Sequence, residues 1–302
     1  MLPMPDLLTD SAGAESPQSE GGEHRGVGGA VLPGDPSQFR RFISASRPLD
    51  LEGIDWQRIP RYPLPPDVLR VLAYMQDVES HTVVFPRTFF SKRALEDEYV
   101  GPFLVCWLYE EGMHGRALSK FLDIAGHPVK RRTRSRTTVR DRIDRAVTWT
   151  MSTTWKDFLA LHMAWGAVHE CTTIQAYRRL SARNDHPILN ELLRRITRDE
   201  ARHFAFYMWQ AEQLLERPGV SRIVRAIMNR FYTPVGASHQ PDALARWVSG
   251  FLFDGEEGRA AAKHVDQSIS KLPGFADATL LWNWLDANVY RSTVRAPEDI
   301  NQ

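Results

Sequence analysis

The sequence predicts an all-α protein with a four-helix bundle core and additional C-terminal helices. Apolar residues recur with helical spacing around four acidic residues, which are Glu79, Glu111, Glu170 and Glu200. No stretch of useful length alternates polar and apolar residues as a strand does, and no internal repeat is present. The acids are separated by 32, 59 and 30 residues, which suits two antiparallel helix pairs joined by a longer crossover.

The elements follow in order along the chain. Residues 1–38 are rich in Gly, Pro and Ser and predict a disordered leader, without the basic and apolar regions of a signal peptide. Residues 39–302 form the predicted helical domain. Its core helices are expected at 67–90, 97–125, 153–181 and 184–216, with Pro66 and Asp67 opening the first of them and Pro86 ending or kinking it. Weaker helices are expected at 138–150, 219–232, 241–252, 255–271 and 276–290.

Bulk composition indicates one soluble, cytoplasmic domain. Hydrophobic residues make up 43% of the 302 residues, enough to fill a sizeable core. A net charge of +1 provides no general attraction to nucleic acid or membrane, and no apolar run is long enough to span a bilayer. Cys106 and Cys171 are the two cysteines, so a reducing compartment is expected and an iron–sulfur module within the chain is excluded.

Two copies of Glu-x-x-His lie on predicted helices, Glu111–His114 and Glu200–His203. Positions i and i+3 share one face of an α-helix, so each copy can direct a carboxylate and an imidazole to one point. Two such helices, together with one inward Glu from each of two others, form the ligand set of a ferritin-like di-iron bundle.

The surroundings of the four acids favour a metal site over chance. Each acid lies on an apolar face. The face of Glu79 contains Leu72, Met75 and Val83, and the face of Glu111 contains Leu104, Trp107 and Leu118. The face of Glu170 contains Met163, Ile174 and Tyr177, and the face of Glu200 contains Leu193, Ile196 and Tyr207. A carboxylate in such a face is buried and needs a cation or a partner. The alternative, polar pairs on wet helix faces, does not explain four acids on four apolar stripes. Carboxylates with imidazoles suit iron or manganese, whereas the lack of thiolates argues against structural zinc.

Residues around these motifs resemble the soluble acyl-ACP (acyl carrier protein) desaturases over about residues 50–290. Trp107-Leu-Tyr-Glu-Glu111-Gly-Met-His114-Gly is similar to that family's Trp-Thr-x-Glu-Glu-Asn-x-His-Gly segment, and Asp199-Glu-Ala-Arg-His203 is similar to its Asp-Glu-x-x-His motif. Glu170-Cys-Thr-Thr173 and Asp55-Trp56-Gln57 resemble two further segments of the family. The sequence departs from the plant pattern at Gly112 and in the loop from Asp123, which leaves the substrate open.

The resemblance implies two iron ions, with O2 as co-substrate. Their implied ligands are Glu79, Glu111, His114, Glu170, Glu200 and His203, with Glu111 and Glu200 bridging. Manganese in place of one iron stays open.

Three further residues receive roles from the resemblance. Thr173 is expected to donate a hydrogen bond or relay a proton at the O2 side, with a core Thr bonded to a helix carbonyl as the alternative. Asp199 is a candidate partner for the second N–H of His114. Trp56 is expected to extend the contacts from His114 and Asp199 to the surface, as a path for electron entry. The alternative is a Trp that serves only in packing.

Other groups allow two interpretations each. A third inward histidine among His81, His162 and His169 would indicate the arylamine N-oxygenase branch, although none has Glu-x-x-His spacing. The basic stretch Lys130–Arg145 is either a solvated face or a docking surface for an acidic partner, acyl carrier protein or ferredoxin.

The function expected first is an O2-dependent desaturase of a carrier-bound acyl chain, with electrons from ferredoxin. A di-iron oxygenase or N-oxygenase of a biosynthetic small-molecule or carrier-bound intermediate is the alternative. Iron storage is disfavoured by the long chain, and a radical-generating reductase subunit by Glu79, where such subunits have Asp. A homodimer is expected; nucleic-acid and membrane partners are not.

Overall fold

Helices account for the regular secondary structure of the part of the chain that is described. The computed structural model describes residues 37–84, 92–129, 149–237 and 240–291. The helices are α1 (Ser37–Ala45), a 3-10 helix (Trp56–Arg61), α2 (Pro66–Val84), α3 (Lys92–Glu96), α4 (Val100–Ile124), α5 (Phe158–Ser181), α6 (Pro187–Leu215), α7 (Val220–Phe231), α8 (Asp242–Phe253), α9 (Gly255–Ile269) and α10 (Leu280–Leu285), which continues into a π-helical turn at Asp286–Tyr290. The predicted all-α fold is confirmed.

The core consists of two lengthwise helix pairs, α2 with α4 and α5 with α6. Glycine allows a close approach within each pair. A Cβ on Gly115 of α4 would lie 2.6 Å from Ser80 Oγ of α2, and a Cβ on Gly166 of α5 would lie 2.3 Å from the Tyr207 ring of α6. Both glycines lie close in sequence to the predicted metal ligands, so each tight contact brings the two helices of one pair together near the site.

Helix starts follow ordinary N-terminal signals. Pro66 and Pro187 occupy first helical positions, where a missing N–H has no cost. His186 caps α6, since its Nδ1 accepts a hydrogen bond from the Leu189 N–H at 3.1 Å. Gly219, with φ of 79°, precedes α7 in a backbone conformation that favours glycine.

The later helices pack around the outside of this core. Helix α9 packs against α5, α7 contacts α5 and α6, and α8 contacts α5. Asp266 of α9 fixes the start of α10, because its carboxylate accepts hydrogen bonds from the N–H groups of Leu281 at 3.0 Å and Trp282 at 2.9 Å. The additional C-terminal helices predicted from the sequence are therefore present.

Several predicted boundaries shift. Helix α5 begins at Phe158 rather than at residue 153, because 149–154 is a separate helical stretch that ends before Trp155. Residues 276–279 are not helical, and Asp277 has a positive φ of 60°. The predicted leader boundary lies inside α1, which includes Ser37; residues 1–36 lie outside the described residues. So do Pro86, the basic stretch Lys130–Arg145 and most of the helix expected at 138–150.

None of the helices in the described ranges is long and apolar enough to cross a membrane.

One buried histidine outside the predicted ligand set makes stability depend on pH. His162 of α5 is 6% exposed, and burial lowers its pKa from 6.5 to about 4. Above the ordinary histidine pKa both the folded and the unfolded chain carry neutral imidazole. Below it the unfolded chain takes up a proton that the folded chain does not, so this group costs stability as the pH falls toward 4.

We expect His162→Gln to reduce this acid sensitivity. Between pH 6.5 and pH 4 the free energy of unfolding should fall by on the order of 3 kcal/mol less in the variant than in the unchanged protein. Urea unfolding across this pH range measures the difference. The control is His264→Gln, which changes an exposed histidine and should show the same pH dependence as the unchanged protein. If the free energy of unfolding changes equally with pH in all three proteins, His162 is not the source of the acid sensitivity.

Candidate metal centre

Six buried side chains from the four core helices meet at the centre of the bundle. They form two groups that share Glu111 and Glu200. One group consists of Glu79, Glu111, His114 and Glu200, and the other of Glu111, Glu170, Glu200 and His203. Within each group one ligand atom per residue lies within 4.8 Å of the others. The structure thus brings together all six residues that the sequence singles out as ligands, and it places Glu111 and Glu200 between the two groups.

The two histidines face the acids in the same way. His114 Nδ1 lies 3.1 Å from Glu200 Oε1, 3.7 Å from Glu79 Oε2 and 3.9 Å from Glu111 Oε1. His203 Nδ1 lies 3.1 Å from Glu200 Oε2, 3.3 Å from Glu111 Oε1 and 3.8 Å from Glu170 Oε2. Each imidazole therefore presents Nδ1 to the interior of the site and Nε2 to the outside.

Several interior atoms have acceptor lone pairs and no donor. Glu79 Oε2, Glu111 Oε1, Glu200 Oε1 and His114 Nδ1 are buried without a hydrogen bond of good geometry in the described part of the chain. Buried polar atoms of this kind are costly unless a cation or a proton lies between them. Four carboxylates carry four negative charges when ionised, and two divalent cations balance them. The donor set of oxygens and imidazole nitrogens fits iron or manganese.

The pKa values show how strongly the acids repel one another. Burial, followed by the charges of Glu200 and Glu79, raises the pKa of Glu111 well above its ordinary value. Burial and the charge of Glu200 act in the same direction on Glu170. For Glu200 burial also raises the pKa, but the polar contacts with Glu170, His114 and His203 outweigh it and hold the pKa well below its usual range. A cation at the site relieves this repulsion.

A second pair of acids holds the histidines from outside. Asp199 Oδ2 lies 3.5 Å from His114 Nε2, and Glu110 Oε2 lies 2.7 Å from His203 Nε2. The pairing is reciprocal, because Asp199 on α6 faces the histidine of α4 while Glu110 on α4 faces the histidine of α6. Such carboxylate–imidazole contacts set the ring orientation and the tautomer of a ligand histidine.

A single guanidinium joins the two pairs. Arg202 Nη2 lies 2.9 Å from Asp199 Oδ1 and 3.3 Å from Glu110 Oε2. The other Glu110 oxygen, Oε1, accepts hydrogen bonds from Ser46 Oγ at 2.7 Å and from the Arg47 N–H at 3.1 Å. Burial raises the pKa of Glu110, but the contacts with His203, Ser46 and Arg202 outweigh it, so the pKa lies below its ordinary value and the carboxylate stays charged.

Glu110 is the residue that the sequence analysis missed. A signal was available, because Glu110 precedes Glu111 as Asp199 precedes Glu200, so both motifs read acid-Glu-x-x-His. On a helix the residue before a ligand points about 100° away from it, which suggests a surface position. Glu110 is instead buried, and its carboxylate accepts hydrogen bonds from Ser46 and Arg47.

Two of the ligand acids are also oriented by aromatic donors. Trp107 Nε1 donates a hydrogen bond to Glu170 Oε1 at 2.9 Å, and Tyr177 Oη donates one to Glu79 Oε1. Each donor lies on a different helix from the acid that accepts its hydrogen bond, Trp107 on α4 and Tyr177 on α5. Each leaves its carboxylate's second oxygen directed into the site.

The remaining predicted site residues lie outside the two groups. Thr173 is half-buried and lines a cavity of about 40 Å³ beside Glu79. Trp56 lies in the 3-10 helix with Lys120 Nζ 4.1 Å from its ring centroid, and within the described ranges it forms no hydrogen bond with Asp199. Their roles in proton and electron transfer stay predictions.

The other histidines lie apart from both groups as far as they are described. His162 is buried on α5 with its ring centroid 6.3 Å from that of Tyr207. His169 Nε2 lies 3.0 Å from Trp165 Nε1 and 3.1 Å from the Thr233 carbonyl oxygen. The side chain of His81 lies outside the described residues. No described observation therefore favours the N-oxygenase alternative.

Comparison with known proteins adds a family. A family model described as "Fatty acid desaturase" matches residues 91–244, just over half of the chain. The matched segment contains five of the six residues above; Glu79 precedes it. No curated protein and no solved structure matches the chain significantly.

The first prediction for the site concerns metal content. Purified protein should bind two irons per chain, and Glu111→Ala or Glu200→Ala should abolish binding of the pair because each acid serves both groups. Metal analysis and anaerobic Fe(II) titration measure the stoichiometry. Glu212→Ala, which changes an exposed acid on the same helix as Glu200, should retain two irons. Stoichiometric binding of a single zinc would contradict this expectation.

A second prediction concerns the acid that faces His203. Glu110→Ala should lower iron affinity about 10–100-fold, because the imidazole loses the partner that orients it and Arg202 loses one of its two carboxylates. Competition with a chelator measures the affinity. Glu98→Ala, at an exposed position just before α4, is the control. Unchanged affinity in the Glu110 variant would mean that packing alone orients the ring.

Proposed function

The chain belongs to the fatty acid desaturase family, and we propose that it is an O2-dependent di-iron desaturase. Its substrate would be an acyl chain carried on an acidic carrier protein, and its electrons would come from ferredoxin. The observation that carries the proposal is the pair of buried four-residue groups that share Glu111 and Glu200. Bound iron would supply the O2-activating redox chemistry that an unactivated C–H bond requires.

The stoichiometry defines what the protein must provide. Desaturation removes two hydrogen atoms from adjacent carbons of the chain. O2 takes up these two hydrogens together with two electrons and two protons, and two waters form. The chain has two cysteines, fewer than the four thiolates of an iron–sulfur cluster that is held by cysteines alone. The electrons would therefore come singly from an external donor such as ferredoxin.

The residues of the chain would hold the metals and orient the ligands. Glu79 and His114 would serve one iron, Glu170 and His203 the other, and the two shared acids would bridge. Asp199 and Glu110 support the proposal because they face the Nε2 atoms of the two imidazoles and leave Nδ1 directed at the four acids. The apolar faces around the acids would keep water away from the oxidant.

A small cavity supports an entry point for the acyl chain. The cavity of about 40 Å³ lies between α2, α5 and α8 and reaches Glu79; its apolar lining includes Met75, Val248, Leu252 and Phe253. This is room for about one small group, so an acyl chain would require these side chains to move apart. Thr173 on the same wall would direct its hydroxyl toward the O2 side of the site.

Product analysis tests the proposal. Iron-loaded protein is incubated with O2, ferredoxin, its reductase and a panel of saturated acyl carriers, and the released chains are analysed by mass spectrometry. We expect a double bond, formed only when ferredoxin is present. Glu200→Ala should abolish product and the control Glu212→Ala should not.

Hydroxylated or N-oxygenated products would contradict desaturation and favour the oxygenase alternative. Many turnovers with O2 and substrate alone would contradict the external electron donor. Activity on free small molecules, with none on carrier-bound chains, would contradict the proposal that the substrate is attached to a carrier protein.

A further inference from the structure

Helix α7 presents a positively charged surface that the core does not use. The chain has no Asp or Glu from residue 217 to residue 241, and this segment contains Arg217, Arg222, Arg225 and Arg230. At 100° per residue, Arg222, Arg225 and Arg230 share the side of α7 opposite to its buried residues, together with Ala226 and Asn229. We call these five residues the α7 face.

Of the four arginines in this segment, only the one outside the α7 face forms an ion pair with a described residue. Arg217, just before the helix, pairs with Asp157 at 3.3 Å. Arg225 donates a hydrogen bond to the Gly274 carbonyl oxygen at 3.0 Å, and Arg230 lies over the ring of Phe231. In the described part of the chain no carboxylate lies within ion-pair distance of the three arginines of the face. Their positive charge is therefore not balanced by a carboxylate of the described residues.

Two exposed apolar side chains lie beside the arginines. Ile223 borders the α7 face and is 50% exposed, and Phe231, which is 62% exposed at the C-terminal end of the helix, lies against the Arg230 guanidinium. Between the arginines lie Ala226 and Asn229, both exposed and short enough for another helix to approach closely. Arginine and aromatic residues around a shallow centre are typical of protein-binding surfaces.

The α7 face also lies close, along the chain, to the cavity beside the metal centre. Helix α7 ends at Phe231, and Pro234 and Val235 already form part of the cavity wall with Glu79. Tyr74 Oη of α2 donates a hydrogen bond to the Val235 carbonyl oxygen at 2.8 Å, which holds this segment on the core. Three residues span at most about 10 Å. A partner on α7 would therefore sit within reach of the proposed entry point.

We propose that the α7 face is the docking surface for an acidic helix of the carrier protein that delivers the acyl chain. This inference rests on the proposed function for the identity of the partner. Three arginines with no competing acid attract and orient an acidic surface, while Ile223 and Phe231 provide limited apolar contact. The combination fits a carrier that must bind and leave at every turnover.

A membrane surface fits the α7 face less well. An interfacial helix turns its apolar face toward the lipid. The apolar residues Val220, Val224 and Met228 of α7 are buried in the protein, so they are not available to lipid. An acidic protein is the occupant that the charge and the geometry favour.

The test compares charge-reversal variants in a binding assay that needs no turnover. Binding of fluorescently labelled holo acyl carrier protein, without an acyl chain, to the iron-loaded protein is followed by anisotropy at two salt concentrations. The test variants are R222E/R225E/R230E and the milder R222E/R230E, which keeps the Arg225 hydrogen bond. The control R93E/R116E/R198E changes the same charge at exposed positions on α3, α4 and α6. A fourth protein, R131E/R132E/R134E/R136E, tests the basic stretch of the crossover.

We expect the α7 variants to raise the Kd by on the order of tenfold and to remove most of its salt dependence. The KM for acyl carrier should rise similarly with kcat unchanged, and the control should behave as the unchanged protein. The inference is overturned if R131E/R132E/R134E/R136E weakens binding and the α7 variants do not, or if the unchanged protein does not bind the carrier. It is also overturned if α7 binds vesicles of phosphatidylglycerol and phosphatidylcholine instead of the carrier.

The two proposals fail in different ways. If carrier-bound chains are desaturated with a KM that the α7 variants do not change, the docking surface is wrong and the function stands. If the carrier binds through α7 but no double bond forms, the docking surface stands and the proposed reaction is wrong.

Discussion

The burial of four carboxylates and two imidazoles at one point is the constraint on which the rest of the structure depends. Removing a charged group from water costs several kcal/mol per ion unless a counter-charge lies nearby. Here Glu111 and Glu200 each face both groups of ligands, so protonation of one acid relieves only part of the repulsion. Cations between the acids would balance these charges, and their binding would then stabilise the bundle.

The contacts outside the site turn this constraint into a defined geometry. Arg202 joins the acid that faces His114 to the acid that faces His203. Because Glu110 also accepts hydrogen bonds from Ser46 and Arg47, the segment after α1 is tied to the same network. Both imidazoles are thus held at Nε2 by acids that are not among the six candidate ligands, and Nδ1 of each is directed inward. A change in the packing of α4 against α6 would move both histidines together.

Helical periodicity predicts the all-α fold, the order of the core helices and four acids on the apolar stripes of four helices, and the Glu-x-x-His spacing adds the two histidines of the candidate site. These patterns do not predict Glu110, which is buried and whose carboxylate accepts a hydrogen bond from Ser46, 64 residues away in the chain. Periodicity in the sequence indicates which residues share a helix face, but it does not indicate contacts between distant segments of the chain. The same limit applies to α7: the sequence predicts a helix at 219–232, but only the tertiary structure shows which face it buries and that its arginines point outward.

In the proposed function, part of the wall that would contact the acyl chain lies outside the segment that the family match covers. The ligands lie on the four core helices, and the family match covers residues 91–244. The apolar wall of the cavity beside Glu79 includes Val248, Leu252 and Phe253 of α8, which follow the matched segment. A family-level match can therefore identify the metal chemistry and leave the acyl chain undetermined. Variation in α8 would alter the volume beside Glu79 without changing a ligand, because none of the six candidate ligands comes from that helix.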